Sequence, residues 1–212
     1  ETDPERLSAL CARAIEDELL FQGADTIAAF IMEPVLGAGG VIVPPASFMP
    51  KVREICDRYN ILLIADEVVT GFGRTGAWSG SRLWGVKPDF MTLAKAITSG
   101  YFPLGATMIS AKVAEAFEAD KTSFGSIGHG YTYSGHPVGC AAAVAALAET
   151  KRLNLADNAA KRGIELSKAL ETLKAKHALV GDVRYQGLMA ALELVSDRKE
   201  KKPADKRTMT KV

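Results

Sequence analysis

Apolar positions fall at helical spacing in the first twenty residues. Leu7, Leu10, Ala14 and Leu19 share one face, and Asp3-Pro4 is a start signal, so the spacing predicts a helix over 4–21. Thr26 to Val35 is a short apolar run that reads as a buried strand, broken by Gly37-Ala38-Gly39-Gly40. Val41-Ile42-Val43 is a further extended piece, stopped by Pro44-Pro45. Met49, Val52, Ile55, Cys56 and Tyr59 predict a second helix that ends at Asn60. Ile61 to Ala65 is continuously apolar, as expected of a parallel strand buried on both faces.

The alternation continues. A glycine-rich loop over Gly71, Gly73, Gly76, Gly80 and Gly85 precedes a strand from Asp89 to Ala94. Leu104 to Ile109 reads as a strand, Ala111 to Phe117 as a helix, and Pro137 to Leu147 as a helix of small residues with Pro near its start. A long helix over 155–176 carries Ala159, Gly163, Leu166, Leu170 and Leu173 on one face. Then the period changes to two, with Leu188, Ala190, Leu192 and Leu194 inside a β segment from Val183 to Val195. The fold class expected is therefore α/β with a mostly parallel sheet, plus the start of a small α+β part. The expected division is 1–152 for the first part, 153–176 for a connecting helix and 177–212 for the second. Asp197 to Val212 is charged and poor in apolar residues, which suits a disordered tail or a surface insertion.

Composition narrows the partners. The 212 residues hold 26 Lys and Arg against 25 Asp and Glu, a formal net charge of +1. So even a balance gives no electrostatic reason to expect nucleic acid or an anionic membrane. No apolar run is long enough for a membrane span, and no targeting signal stands at Glu1-Thr2-Asp3-Pro4. Cys11, Cys56 and Cys140 are an odd number at irregular spacing, and His129, His136 and His177 show no metal-ligand pattern. Free thiols fit a reducing compartment, so a cytoplasmic location is expected, with no metal.

The chemistry lies in where polar residues interrupt the pattern. Three expected strands end in a reactive or charged group: Glu33, Asp66 and Lys95. Ligands of open α/β sheets bind beyond the carboxyl ends of the strands. Singly, each reads as an ordinary strand-end charge that reaches water. Together they suit pyridoxal phosphate, which needs an amine for its aldehyde and a carboxylate for its ring nitrogen. His129 to Pro137 adds hydroxyls and glycine amides ahead of a helix, a place for a phosphate or simply a capped loop.

Asp66-Glu67-Val68-Val69-Thr70-Gly71-Phe72-Gly73-Arg74-Thr75-Gly76, then Pro88-Asp89 and Leu93-Ala94-Lys95, resembles the signature of class III aminotransferases, pyridoxal-phosphate enzymes of the aspartate aminotransferase fold. Phe30 to Val35, Gly100 to Ala106 and Tyr131 to Pro137 match as well, so the resemblance runs in unbroken order over roughly residues 5–195. It implies Lys95 as the Schiff-base lysine and proton carrier, and Asp66 as the partner of the pyridinium nitrogen. Val68 packs on one ring face in this reading. Thr132 gives its hydroxyl to the cofactor phosphate of the other subunit of a homodimer. Glu33 matches a family position near the active site without an assigned step, and Arg74 reads as a structural ion-pair residue.

Two departures bear on substrate. Val69 stands where the ornithine and γ-aminobutyrate branches usually have Gln, and Ala38 where they usually have Glu. The resemblance is thus to the ω-amino acid or amine:pyruvate branch, with a primary amine donor and pyruvate or a similar 2-oxo acid as acceptor. A third departure, Tyr185 in Arg184-Tyr185-Gln186-Gly187, is expected to alter a turn. Family members carry further phosphate and ring contacts before the position of Glu1, and a substrate-carboxylate arginine beyond that of Val212. The chain therefore reads as an internal fragment, poorly soluble and weakly cofactor-binding alone, active in the full-length dimer. Alternatives are an aminomutase or decarboxylase on the same scaffold, or a non-catalytic interaction domain. A dinucleotide site fails, because Gly37 to Gly40 is followed by Val-Ile-Val-Pro-Pro and not by a helix.

Overall fold

The computed structural model describes residues 3–119 and 129–210. Helix α1 (Pro4–Gln22) starts where Asp3 accepts from the Arg6 amide at 2.8 Å, with Pro at its first position. Strand β1 (Ala29–Met32) follows, then α2 (Phe48–Arg58), β2 (Leu62–Asp66), the one-turn helix α3 (Gly80–Leu83), β3 (Phe90–Leu93) and β4 (Ala106–Ile109). These four strands form one sheet in the order β1-β2-β3-β4. The first two pairings are parallel, and β4 runs antiparallel to β3, with Leu93 opposite Ala106. The link from β3 to β4 holds only a short 3-10 turn (Lys95–Ile97). That is too little for a crossover helix, so β4 returns alongside.

The core of this part lies between the sheet and the α1–α2 pair. Met49, Val52, Ile55 and Cys56 of α2 and Ala12 and Leu19 of α1 close over Ile61, Leu63 and Ala65. Leu62, Ile64 and Asp66 point to the opposite face and are half-buried, while Ile31 is 60% exposed. The apolar run 61–65 is therefore fully covered on one face rather than on both, because α1 and α2 pack on one side of it. Val41 to Val43 forms no strand; it contributes one isolated bridge, Ile42 to Leu36, because prolines remove the next donors.

Helices α4 (Ala111–Ala119), α5 (Pro137–Arg152) and α6 (Leu155–Lys176) come next. The second sheet is antiparallel: β5 (Val180–Gln186), β6 (Met189–Asp197) and β7 (Lys202–Pro203), then the short α7 (Lys206–Met209). Leu166 and Leu170 of α6 pack on Val180, Val183, Ala190 and Leu194. Tyr185 pairs with Ala190 inside the ladder, so the departure expected to alter a turn lies in a strand instead. The charged segment after Asp197 is ordered through residue 210, not a loose tail. Arg198 donates to the carbonyls of Val180, His177 and Lys174 at the end of α6, and the Ala204 amide donates to Leu194.

The β5–β6 hairpin reaches back to the glycine-rich loop. Gln186 donates to the Thr75 carbonyl at 2.9 Å, the Leu188 amide to Arg74 at 2.9 Å, and Arg184 to Gly40 at 2.8 Å. Gly187 sits at φ +59 with its α-carbon so close to the loop that a Cβ would stand 2.4 Å from the Thr75 carbonyl carbon. Only glycine serves there.

Candidate active site

Parallel pairing brings the carboxyl ends of β2 and β3 together. Asp66 is the register partner of Thr92, and Lys95 stands three residues further on. The Asp66 carboxylate accepts through one oxygen, Oδ1, from the Val68 amide at 3.0 Å and the Thr92 hydroxyl at 3.1 Å. Among the described residues no donor reaches Oδ2. A half-buried carboxylate with one oxygen tied down and the other open suits a single additional N–H donor.

Lys95 is exposed and carries a backbone φ of +47, uncommon outside glycine. The neighbouring Ala94 is extended, so the chain turns sharply at the lysine as β3 ends. Strain of this kind persists where the surroundings fix it. Thr98 donates to the Phe102 carbonyl at 2.6 Å and closes the loop behind it.

Glu33 ends β1 on the same edge. Its carboxylate accepts from the Gly37 amide at 2.8 Å and so holds the turn that follows. The methyls of Val69 lie 3.3 and 3.4 Å, and Glu33 Oε2 3.4 Å, from where a Cβ on Gly37 would stand, so Val69 and the Glu33 carboxylate meet at this turn. Val68 is half-buried beside Asp66. Arg74 donates to the Val69 carbonyl at 2.5 Å, and no ion pair to it exists among the described residues. Its structural role is kept, but a carbonyl takes the place of the expected carboxylate.

Thr132 is exposed, in a turn where the Ser134 amide donates to Tyr131 and the Tyr131 amide to the Ser134 hydroxyl, each at 2.9 Å. The turn leads into α5, and His136 at that helix start stacks on Phe102 with ring centroids 5.0 Å apart. This stack joins the Thr132 turn to the loop that begins at Lys95.

Two motif residues do other work. Asp89 lies at the far end of β3, where its carboxylate accepts from the Leu63 amide at 2.8 Å and pairs with Arg53 at 2.7 Å. Burial alone pushes this carboxyl up, but the Leu63 amide and the Arg53 guanidinium outweigh it and hold it below the usual range. A cavity of about 470 Å³ opens at that end, lined by Arg82, Val86, Phe90, Met108 and Ile109, and it contains none of Glu33, Asp66, Val68, Lys95 or Thr132. Glu67 is wholly buried, and its carboxylate accepts from the amides of Gly80 and Ser81 and the hydroxyls of Thr70 and Ser81. Sequence reading passed over it, although an acid that continues the buried 63-65 alternation is a signal that could have been used.

A family model described as Aminotransferase class-III matches residues 2–211. The chain belongs to this family. This class-III aminotransferase chain is 48% identical over 187 residues to a diaminobutyrate–2-oxoglutarate transaminase of Halomonas elongata, covering 88% of the chain and 40% of that protein. It is 42% identical over 200 residues to a putrescine–pyruvate aminotransferase of Pseudomonas aeruginosa, covering 94% and 43%. Among solved structures, an amine transaminase from an uncultivated Pseudomonas species, in its PLP-bound form, superposes with a TM-score of 0.94 at 54% identity, over 97% of the chain and 46% of that one. The aminotransferase chain thus spans less than half the length of these relatives. Family and neighbour indicate pyridoxal phosphate as the cofactor, and the open oxygen of Asp66 and the exposed Lys95, at the same edge of the sheet, fit it. Among the described residues no group of three or more His, Cys, Asp or Glu could hold a metal, and no helix is long and apolar enough to cross a membrane.

Proposed function

We propose that this chain supplies the acid and lysine half of an aminotransferase site that moves an amino group from a primary amine or ω-amino acid to pyruvate or a similar 2-oxo acid. The observation that carries this reading is that Asp66 ends β2 and Lys95 follows the end of the parallel neighbour β3 on the same sheet edge, with the Thr92 hydroxyl of β3 donating to Asp66. Pyridoxal phosphate, when bound, supplies the electron sink that makes a carbon–hydrogen bond beside nitrogen acidic. Asp66 holds a proton on the ring nitrogen through its open Oδ2. Lys95 would hold the cofactor by its aldehyde, and its Nζ, when free, would carry the proton between the substrate α-carbon and the cofactor aldehyde carbon. Val68 braces one ring face. Thr132 donates to the phosphate, from the second subunit of a homodimer. Glu33 acts indirectly, by fixing the turn under Val69.

The donor preference rests on Val69 and Ala38. Val69 brings methyls and no polar end to the Glu33 turn, so a donor finds apolar contact there beside a carboxylate that the Gly37 amide already engages. The likeness to an amine transaminase structure and to a putrescine–pyruvate aminotransferase supports that preference. The division at 152 and 176 is read as a partial cofactor-binding part, a connecting helix and the start of a smaller one. The setting proposed is the cytoplasm.

The test uses the full-length protein, loaded with pyridoxal phosphate and offered amine donors with pyruvate. Alanine formation that Lys95→Ala abolishes supports the reading. Borohydride labelling that persists at another lysine overturns it.

A further inference from the structure

We infer that Glu67 is a positioning residue for the reaction: it fixes the orientation of Asp66, and through it the protonation of the bound cofactor. This rests on the role of Asp66 proposed above. The two side chains are successive and point to opposite sides of the strand end, Asp66 to the half-buried face and Glu67 into the interior. Glu67 is 0% exposed, and both its oxygens are fully engaged. One oxygen accepts from the Gly80 amide at 2.8 Å and the Thr70 hydroxyl, the other from the Ser81 amide at 2.7 Å and the Ser81 hydroxyl.

These bonds tie together three strand ends. The start of α3, held by Glu67, is pressed on Pro34 beyond β1: a Cβ on Gly80 would stand 2.5 Å from Pro34 Cβ. Trp84, at the end of the same helix, donates to the Pro34 carbonyl at 2.9 Å. The Glu67 amide donates to the Thr92 carbonyl at 3.0 Å, and the Thr92 hydroxyl in turn donates to Asp66. Asp66 thus takes its bonds from Thr92, whose carbonyl is tied to the Glu67 backbone, and from Val68, the next residue after Glu67, so a shift of the Glu67 segment shifts both donors to Asp66.

The donor set also explains why a carboxyl group and not an amide stands here. Thr70 and Ser81 hydroxyls can reverse and accept, but the amides of Gly80 and Ser81 cannot. Each carboxylate oxygen faces one of those amides. Glutamine would set its NH2 against one N–H whichever way it flips, and an unpaired buried donor forces the loop to move.

The experiment is a pH titration of the absorption band of pyridoxal phosphate bound to the full-length protein, in wild type, Asp66→Asn and Glu67→Gln, with the melting temperature of each apoprotein recorded. We expect Asp66→Asn to raise the titration midpoint, because a less cationic ring repels the neighbouring proton less. Glu67→Gln moves it the same way by about one pH unit, and kcat falls by about 10- to 100-fold with little change in KM. Should Asp66→Asn move the midpoint while Glu67→Gln lowers only the apoprotein melting temperature, Glu67 is a structural staple and the inference fails. An unmoved midpoint in Asp66→Asn overturns the role of Asp66 itself. Where Glu67→Gln does not fold, Thr70→Val and Ser81→Ala each remove one hydroxyl and leave both amides. Either must shift the midpoint in the same direction, with Thr70→Ser restoring it; no shift in both overturns the inference.

Discussion

The loop from Asp66 to Ser81 and the turn from Tyr131 to His136 both carry candidate site residues, yet they are built by different means. The loop wraps a buried carboxylate, lies under the β5–β6 hairpin, and supplies from its own residues all four donors to that carboxylate. The turn exposes Tyr131 at 75% and Tyr133 at 76%, and one aromatic stack joins it to the rest. A side chain that must hold a charge at a fixed place, Asp66, belongs to the first kind. One that needs only to offer a hydroxyl to a phosphate, Thr132, can belong to the second. The difference teaches that the acid half of this site is organised by the chain itself before any ligand arrives.

Four substitutions in the full-length protein break or sharpen that contrast. Lys95→Ala, at the junction of the two regions, has the largest effect. Transamination falls by about 10²–10⁴-fold from the lost proton transfer alone, and the borohydride-reducible adduct disappears, read by mass spectrometry. Asp89→Asn tests the far end of the sheet, away from both regions. It leaves Arg53 with Asp57 as its remaining ion partner, weakens the bonds from Arg53 and the Leu63 amide, and costs about 1–3 kcal/mol of stability in denaturant melts, with cofactor affinity unchanged. Its pH signature follows from the depressed carboxyl: the contribution is present above the ordinary carboxylate range, near about pH 4, and is lost as pH falls through the lower folded value. The Asp89→Asn protein therefore shows a flatter acid limb than the wild type.

Gly187→Ala attacks the locked loop from the hairpin side. Overlap with Thr75 and Arg74 costs about 1–3 kcal/mol, and the melting temperature drops. Because the loop holds Asp66, the cofactor titration shifts as well; a drop in melting temperature alone would mean that the loop is anchored independently of the hairpin. Thr132→Ala is the mildest for stability. It weakens cofactor binding by about 1–3 kcal/mol and leaves the apoprotein melt where it was. A lowered melt would show that the turn is more than an open platform.

Much of this was legible from residue order. The period-3.6 face of α2 and the chain positions of Asp66 and Lys95 just past apolar runs follow directly from the pattern, and the motif blocks identify the family. On α1 only Leu19 of the expected face is buried, with Ser8 and Ala12 in place of Leu7, Leu10 and Ala14, because the side facing α2 and the sheet is a small-residue side. Other features depend on partners far along the chain. The four bonds to Glu67 come from residues up to fourteen positions away, so no local period announces them. The order of the segment after Asp197 depends on Arg198 finding two carbonyls at the end of α6 and a third at the start of β5. The bridge at Ile42 replaces a strand because Pro44 and Pro45 carry no amide donor and the turn at Gly37 to Gly40 bonds back on itself. Tyr185 was misplaced because a strand residue and a turn residue look alike two positions from a glycine.

The left-handed backbone at Lys95 also constrains how a lineage could abandon this chemistry. Asparagine, aspartate and glycine occupy that conformation at little expense, whereas β-branched residues resist it. A descendant released from selection on the amine would therefore drift toward Asn or Gly at 95 and seldom toward Val or Ile. The mark of lost function at this position would be a small turn-former, while the sheet around it stayed intact.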